Sequence, residues 1–549
     1  MPTCKQCQNE FVITSAEKKA LGQFDVPHPK LCPDCRLQLQ LCFRHNHRLY
    51  KNICAATGCE IISYISSDSV YTVYDQDYFW SNKWDALSYG QDFDFSRSFF
   101  EQFKMLFTKV PKVSMNGDPK NINSDYCSGA TELKNCYLCF SAGWCEQVLY
   151  SEWCVKNTDV VDCYHTTALE IGYENIDVEE SYNLYFSQEC KKCTDSFFLY
   201  DCVGCTNCFG ATNKRNASYL FFNEQLDEAT YKQKIATLDL GNYQKSQAVK
   251  QRFVDLKNKE GIYRAHKIIA SVDCLGDYIS NSDLCTNCYD AVACENVING
   301  FNVLQIKNSL DIAYAGMSEL NYNCAGGYND YNMLCSDKIR NGTDVAYCIE
   351  SRNIENCFGC AGIFNKKYCI LNKQYSKAEY FKLKNRIIAH MKKTGEYGDY
   401  FPADMSLHSY DDSLAQRTFP LTKTQAQKLG FYWLDEKIDQ LSKATIDWGK
   451  VPRNIKNINA DFLKHIYLCE QCRQGFKIIS QELSFYKKHN LPLPHFCFAC
   501  RTKNRLSLRR DCRLYHSTCA KCRKKISTTY APDRPEIVYC EECYRKEVY

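Results

Sequence analysis

The chain has 549 residues, of which 24% are charged and 45% hydrophobic, with 37 cysteines and a formal net charge of +4. This composition indicates a globular rather than a disordered chain, and the length suffices for about three to five domains. No run approaches the roughly 18 apolar residues of a membrane helix, and no secretion leader opens the sequence, so we expect a cytoplasmic, reducing compartment with free or metal-bound cysteines.

The N-terminal segment, residues 1–60, carries a zinc-binding pattern. Cys4-x2-Cys7 is followed, after 24 intervening residues, by Cys32-x2-Cys35. Four thiolates in two such pairs satisfy a closed tetrahedral zinc site, which leaves no open position for catalysis. Ser15 predicts the start of a helix between the pairs. The segment is therefore predicted to hold a structural Zn²⁺.

A weaker pattern follows at Cys54-x4-Cys59. Two thiolates alone rarely hold zinc. Either His45, His47 or Asp75 completes a second site, or the site has been lost and packing replaces it. We favour loss and keep Cys54 and Cys59 as possible metal ligands.

Residues 61–120 are predicted to be an aromatic-rich connector. Phe99, Phe103 and Phe107 recur at helical spacing. This spacing is typical of the buried face of a helix rather than of a ligand-binding surface.

The middle of the chain is a tandem duplication. Residues 121–245 and 270–394 match without a gap at an offset of 149 positions. Matching at this density indicates an internal repeat. The matched pairs include Cys136 and Cys285, Cys139 and Cys288, Cys145 and Cys294, Asn207 and Asn356, and Tyr231 and Tyr380.

Within each copy, short apolar and aromatic segments alternate with Asn, Asp, Ser and Gly. We predict a mainly β fold, a cysteine- and tyrosine-rich β-solenoid of the parallel β-helix kind. Its open ends need covering, and helices after Asp227 and Ser376 are the expected lids. Residues 246–269 are predicted to be a helical linker between the copies.

Most repeat cysteines are predicted to pack in the core. Cys202 and Cys205 of the first copy correspond to Ser351 and Ile354 of the second, and isoleucine cannot bind a metal. The pairs Cys136/Cys139 and Cys285/Cys288 are kept in both copies, so metal binding there stays open. The repeated aspartates are predicted to form turns; they are Asp162, Asp311, Asp195 and Asp344.

A connector, 395–462, with a capping box at Thr422 and Gln425, leads to a double zinc module over 463–549. The first site of this module repeats the N-terminal spacing with Cys469, Cys472, Cys497 and Cys500, and the second comprises Cys519, Cys522, Cys540 and Cys543. The chain is thus predicted to bind about three Zn²⁺ ions.

The segment Cys32-Pro33-Asp34-Cys35-Arg36 resembles the family known as probable zinc-ribbon domains of treble-clef type. Cys497 to Arg501 departs from that pattern only in lacking the proline. Nearly the whole chain resembles uncharacterised cysteine-rich repeat proteins of very small, candidate-phyla bacteria. The shared strings are residues 356–359, 371–375 and 419–423. This resemblance implies zinc modules at both ends and no established activity.

The C-terminal module is strongly basic, with 18 Lys and Arg against 8 Asp and Glu in residues 463–549. We predict that this module binds nucleic acid, most plausibly structured RNA or a ribonucleoprotein, through phosphate contacts. The proposed contacts are Arg501, Lys503, Arg505, Arg509, Arg510 and Arg513.

Two alternatives remain open. The acidic repeats could form a protein–protein scaffold whose zinc modules are only caps, or they could carry an enzyme that acts on a polymer. The sequence contains no phosphate-binding loop, nucleophile elbow or HExxH motif, so a non-enzymatic scaffold is favoured.

Overall fold

The computed structural model describes residues 1–434 and 444–549, and more of them lie in strands than in helices. The prediction of a mainly β chain is therefore confirmed. Residues 435–443 of the predicted connector 395–462 lie outside the described residues. Two parallel sheets form the middle of the chain, and we call them stack 1 (residues 123–222) and stack 2 (residues 268–372).

A left-handed backbone conformation recurs at every third residue of stack 1. All these residues, from Asn123 to Phe222, have φ between 46° and 69° whatever their type. Stack 2 keeps the same spacing, with one irregularity between Gly276 and Tyr278. Such a residue turns the chain sharply, and we call it a corner. Two extended residues and one corner together form a three-residue side of the stack.

Strands pair in parallel with the segment twelve residues further along the chain. Tyr164 lies beside Ile176, and Lys307 lies beside Glu319. Four three-residue sides therefore separate one strand from the next strand above it. The strands of stack 1 include Glu146–Leu149, Glu152–Val155, Thr158–Val161, Tyr164–Tyr173, Ile176–Tyr185, Thr194–Tyr200, Phe209–Thr212 and Leu220–Phe221, which pairs antiparallel with Glu224–Gln225.

Stack 2 repeats this arrangement and ends in the same way. Its last strand, Phe364–Ile370, pairs antiparallel with Lys373–Gln374. Its other strands are Ile268–Ile269, Leu275–Ser280, Thr286–Val292, Glu295–Leu304, Lys307–Gly316, Glu319–Cys324, Gly327–Tyr328, Tyr331–Leu334, Ile339–Ala346 and Arg352–Phe358.

One residue in three points into a narrow core inside each stack. Cysteine and aliphatic side chains fill that core, and the predicted packing cysteines are among them. Cys139 is fully buried, and its Sγ donates to the carbonyl of Val148 at 3.1 Å. Cys136, Cys285 and Cys288 are buried in the same way. None of these four belongs to a group of metal-ligand side chains among the described residues.

Helices and short two-stranded pairs surround the stacks. The helices are α1 (Ser15–Gln23), α2 (Pro33–Cys42), α3 (Gln76–Phe79), α4 (Phe99–Lys109), α5 (Glu228–Ala236), α6 (Tyr243–Glu260), α7 (Lys377–Thr394), α8 (Leu414–Thr418), α9 (Lys423–Lys428), α10 (Ser480–Lys488), α11 (Phe498–Leu506) and α12 (Glu541–Val548). The predicted helices after Asp227, Ser376 and Thr422 are confirmed as α5, α7 and α9, each capped by that side chain.

The cap of α1 lies one residue earlier than the sequence indicates. Thr14, not Ser15, accepts from the backbone N–H of Glu17, and Glu17 accepts from Thr14 in return. The short strand pairs are Tyr50–Ile53 with Glu60–Ser63, Val73–Tyr74 with Lys112–Val113, Tyr263–Arg264 with Val538–Tyr539, Tyr467–Leu468 with Gly475–Phe476, and Tyr515–Thr518 with Lys525–Thr528.

The terminal modules cross over when they dock. Helices α1 and α2 of the N-terminal module pack on stack 2, against the strand Lys307–Gly316. Apolar residues of the C-terminal module, such as Leu483 and Tyr486, pack on Tyr173 of stack 1. Each module thus docks on the stack that is farther away along the chain. Among the described residues no helix has the length and apolar character that crossing a membrane requires.

Candidate metal centres and docking arginines

Three groups of four cysteines have the geometry of metal centres. In each group the four Sγ atoms lie within 4.8 Å of one another. The Sγ–Sγ distances across the two cysteine pairs are 3.8 Å for Cys7 and Cys32, 3.6 Å for Cys472 and Cys497, and 3.7 Å for Cys522 and Cys540. A tetrahedral ion with metal–sulfur bonds of about 2.3 Å needs sulfurs about 3.8 Å apart. The twelve predicted ligands therefore fit three closed four-sulfur sites.

Each site begins with a knuckle, the turn formed by the first Cys-x2-Cys pair and the two residues that follow it. The residue after the second cysteine is left-handed, with φ of 62° at Gln8 and 63° at both Arg473 and Arg523. Its N–H donates to the carbonyl of the first cysteine at 3.0 Å in all three knuckles. This turn directs both thiols to the same side.

Backbone amides also stabilise the thiolates. Burial raises the pKa of Cys519, but the N–H groups of Cys522, Cys540 and Lys521 outweigh it and lower the pKa of this thiol to about 6. At the other two sites the N–H of Cys32 donates to Cys4 Sγ, and the N–H of Cys497 donates to Cys469 Sγ, both at 3.3 Å. Metal ligands must be deprotonated, so these amides favour the metal-bound form.

The segment 54–59 keeps the knuckle turn with only the first of its two cysteines, and we call it the degenerate knuckle. The N–H of Gly58 donates to the carbonyl of Cys54 at 2.8 Å, as in the metal knuckles. Thr57 therefore occupies the place of the second cysteine. Cys59 lies two positions further along the chain and is exposed.

Asp75 does not complete a metal site at the degenerate knuckle. Its carboxylate accepts from the N–H groups of Asp77 and Tyr78 at the start of α3. Its own N–H donates to Cys54 Sγ at 3.2 Å, so a hydrogen bond holds this thiol. No group of three metal-ligand side chains includes Cys54 or Cys59 among the described residues. Loss of the second N-terminal site stays the favoured prediction.

Arg36, directly after the fourth ligand of the first site, docks the N-terminal module on stack 2. Its Nη2 donates at 3.1 Å to Glu17 of its own module and at 3.1 Å to Asp311 of stack 2. All three side chains are buried. Arg36 is therefore a link between the metal site and the stack.

Arg501 occupies the equivalent place in the C-terminal module. It pairs with Glu482 of its own module at 3.1 Å and with Asp162 of stack 1. Glu482 lies 465 positions after Glu17, and Asp162 lies 149 positions before Asp311. The two terminal modules therefore dock through equivalent residues, as a pseudo-symmetric pair.

Two further arginines bridge the two stacks directly. Arg509 Nη2 lies 3.0 Å from Asp177 of stack 1 and 2.7 Å from Asp290 of stack 2. The next residue, Arg510, lies 3.3 Å from Glu189 of stack 1 and 3.0 Å from Asp277 of stack 2. Since each guanidinium contacts a carboxylate from each stack, this segment ties the stacks together.

The placement of these arginines corrects the predicted nucleic-acid contacts. Arg501, Arg505 and Arg510 are buried, and the side chain of Arg509 is only 10% exposed. Arg505 pairs with Asp162 at 2.6 Å. A guanidinium held between carboxylates of its own chain has no free edge for a phosphate. We therefore assign these four arginines to docking.

The two remaining predicted contacts are solvent-facing. Lys503 is exposed on α11. Arg513 is half-exposed and pairs with Asp34 of the N-terminal module at 2.5 Å. Only Lys503 and Arg513 of the original six are therefore accessible to an external phosphate.

Sequence reasoning missed the carboxylates that receive the arginines. Asp162 and Asp311 do form corners, with φ of 57° and 58°, as their predicted turn role requires. They are also buried and ion-paired. A signal was present: Arg36 and Glu17 recur as Arg501 and Glu482 while Asp311 recurs as Asp162. Buried charges are expected in pairs, so an ion pair between the repeated arginine and the repeated carboxylates could have been predicted.

No protein-family model matches the chain, and no curated protein matches it. Among solved structures, the chain has a likeness to a proposed acetyltransferase from Desulfovibrio desulfuricans G20. The sequences are 11% identical over 47% of this chain and 68% of that chain, with a TM-score of 0.09. A score this low carries no argument about fold or function.

Proposed function

We propose that this protein is a non-enzymatic scaffold, stabilised by zinc, that binds structured RNA. The contacts come from the exposed basic residues of the knuckle that begins with Cys519-x2-Cys522, which we call the basic knuckle. Zn²⁺ is the proposed metal because four thiolates in a closed tetrahedron suit it and leave no position for substrate. The two stacks are β-solenoids with twelve-residue turns in this proposal. The parallel offset, which is twelve residues except at the start of stack 2, and the corner at every third residue support this assignment.

The observation that carries the proposal is a basic cluster at residues 521–525 in which three of the four cations form no ion pair among the described residues. Lys521, Arg523, Lys524 and Lys525 are all exposed at the tip of a metal-held hairpin. Lys521 pairs with Glu547. The other three lie within ion-pair distance of no carboxylate in the part of the chain that the structure describes. Their positive charge is therefore available to phosphate oxygens.

Comparison with the degenerate knuckle shows that this charge is not needed for docking. The positions that correspond to Lys521, Arg523 and Lys525 are Ala56, Gly58 and Glu60. Yet both modules add a short parallel strand to the segment that precedes a stack. Val73–Tyr74 pairs with Lys112–Val113, and Val538–Tyr539 pairs with Tyr263–Arg264. Three of the four metal ligands and the basic residues are thus absent together from one copy, while the docking strand is kept. This contrast favours a binding role for the basic knuckle.

The test is binding of the purified protein to a structured RNA across a salt series. The variant R523A/K524A/K525A should bind more weakly and should lower the salt slope by up to about 2–3, since each phosphate contact contributes about 0.7–0.9. The control K5A/K18A/K19A removes the same charge from the exposed surface of the N-terminal module. The proposal fails if both variants lose affinity equally, or if the unmodified protein shows no salt-dependent binding.

A further inference from the structure

Two arginines lie side by side on one face of stack 2. Arg340 pairs in register with Arg352 on the next strand, and neighbouring strands are only about 4.8 Å apart. Both side chains are partly exposed. Neither guanidinium lies within ion-pair distance of a carboxylate in the part of the chain that the structure describes. Like charges directly opposite each other on neighbouring strands are destabilising, so an anion beside this pair would stabilise the stack.

The direct contacts of Arg352 are neutral. Its Nη2 donates to Asn116 Oδ1 at 3.3 Å, and its guanidinium lies over the Trp80 ring at 3.7 Å. Asp118 lies near both arginines but beyond ion-pair distance, and its carboxylate accepts from the Thr131 hydroxyl. Burial and the charge of the neighbouring arginine lower the pKa of Arg352 to about 10. The two cations therefore share an environment that lacks a counter-ion.

Stack 1 shows what fills the corresponding place. Lys191, which matches Arg340 at the offset of 149, pairs at 2.7 Å with Glu179, the residue twelve positions earlier. Stack 2 has Tyr328 where stack 1 has Glu179. Tyr328 pairs in register with Arg340 and is 48% exposed. The second copy thus keeps the cation but lacks the carboxylate.

A row of side-chain amides runs beside the arginines. Asn329, Asn341, Asn353 and Asn365 occupy successive corners next to the arginine column, and all four are exposed. Each of the first three amides donates to the carbonyl oxygen of the next side chain, at 2.8–3.0 Å. An amide nitrogen carries two N–H groups, so each of these three keeps one donor. Uncharged donors add to the preference of this face for an anion.

We propose that Arg340 and Arg352 bind a phosphate group with two negative charges, either inorganic phosphate or a phosphate monoester. Two guanidinium groups neutralise a dianion, and the fork of donors on each one fits phosphate oxygens. The phosphate takes the place that the Glu179 carboxylate occupies in stack 1. The Tyr328 ring offers an apolar wall to the organic part of a monoester. The site shares no residue with the basic knuckle, so it does not depend on RNA binding.

Inorganic phosphate, phenyl phosphate and dimethyl phosphate are the probes, the last being a diester with one negative charge. Isothermal titration of the full chain, at about pH 8 where the first two probes are dianions, is done in chloride buffer of constant ionic strength. Both dianions should bind at least about tenfold tighter than the diester. R340Q/R352Q should weaken phosphate binding at least about tenfold. K367Q/K373Q removes two ion-paired lysines near the end of stack 2 and should leave phosphate binding unchanged.

Y328E restores the internal carboxylate that stack 1 has, and it gives a second readout. This variant should lose phosphate binding and should melt at a higher temperature than the parent protein in phosphate-free buffer, because the arginine pair then has a counter-charge. Tyr331 is 47% exposed and lies outside the arginine column. Y331E therefore adds the same charge elsewhere on the stack and should leave phosphate binding unchanged.

No phosphate binding by the parent protein, equal affinity for the dianions and the diester, or undiminished binding by R340Q/R352Q would each overturn the proposal. If R340Q/R352Q does not fold, Y328E gives the decision, and phosphate binding by that variant equal to that of the parent would overturn the proposal. Tighter binding of phenyl phosphate than of inorganic phosphate assigns the site to monoesters, and the reverse order assigns it to the free ion.

Discussion

Arg36 and Arg501 each follow the last cysteine of a metal site, and each meets two buried carboxylates. A buried ion pair of this kind contributes little net stability by itself, because desolvation offsets the attraction. Removing one partner is different, since it leaves a charge buried without compensation. These arginines therefore specify where the modules dock.

Arg501→Ala should destabilise the protein by about 3–5 kcal/mol because Glu482 would stay buried without its ion-pair partner and Asp162 would keep only Arg505. Chemical denaturation measures this change in the free energy of unfolding. Lys503→Ala, on the exposed side of the same helix, should change stability by less than about 0.5 kcal/mol. If the two variants unfold alike, the docking role of Arg501 is wrong.

A buried carboxyl in stack 2 should make stability depend on pH. Burial raises the pKa of Asp330 to about 7, whereas an unfolded aspartate titrates near 3.9. The unfolded chain therefore releases this proton first, and stability should fall by up to about 4 kcal/mol as pH rises from 4 to 7.

Asp330→Asn should remove the loss of stability that accompanies the rise in pH. The melting temperature of the variant should exceed that of the parent protein at pH 8 and change little at pH 4. Asp344→Asn, at a partly exposed corner, is the control. An equal effect of Asp330→Asn at both pH values would contradict the assignment.

At the scale of elements, the three-residue side explains why bulky residues accept a left-handed backbone. Tyr150 and Ile171 have φ of 54° and 57°. Each such residue is disfavoured by about 1–2 kcal/mol locally. Ladder hydrogen bonds above and below hold each corner, so the stack imposes the conformation. The corner therefore tolerates most side chains except where space is absent.

At Gly276 there is no space for a side chain. Its φ is 148°, and a Cβ there would lie 1.8 Å from the carbonyl oxygen of Cys288. Gly276→Ala should therefore destabilise stack 2 by about 2–4 kcal/mol. Gly129 is an ordinary corner with φ of 64°, and its added Cβ would meet nothing closer than 3.6 Å. Gly129→Asn should cost less than about 1 kcal/mol, and thermal unfolding that ranks the two variants the other way would contradict the stack geometry.

The sequence predicted the elements with local signatures. Cysteine spacing predicted the three four-cysteine groups, and side-chain caps predicted α5, α7 and α9. The twelve-residue offset was missed because cysteine, serine, alanine and valine share the inward positions, so no residue type marks the period. The arginine–carboxylate links were missed because they join residues hundreds of positions apart, and only folding brings them together.

At the scale of the molecule, the chain is two stacks tied by two crossed modules. The N-terminal module holds stack 2, the C-terminal module holds stack 1, and Arg509 and Arg510 bridge both stacks. Because metal sites position the arginines that follow them, loss of metal should loosen docking as well as the modules. Metal binding is then part of the free energy of folding.

The most direct test of this account is the metal content of the folded chain, measured by native mass spectrometry beside the Cys519→Ser and Cys54→Ser variants. The account predicts three zinc ions in the parent protein, two in Cys519→Ser and three in Cys54→Ser. A folded protein without metal, or loss of an ion from Cys54→Ser, would contradict it.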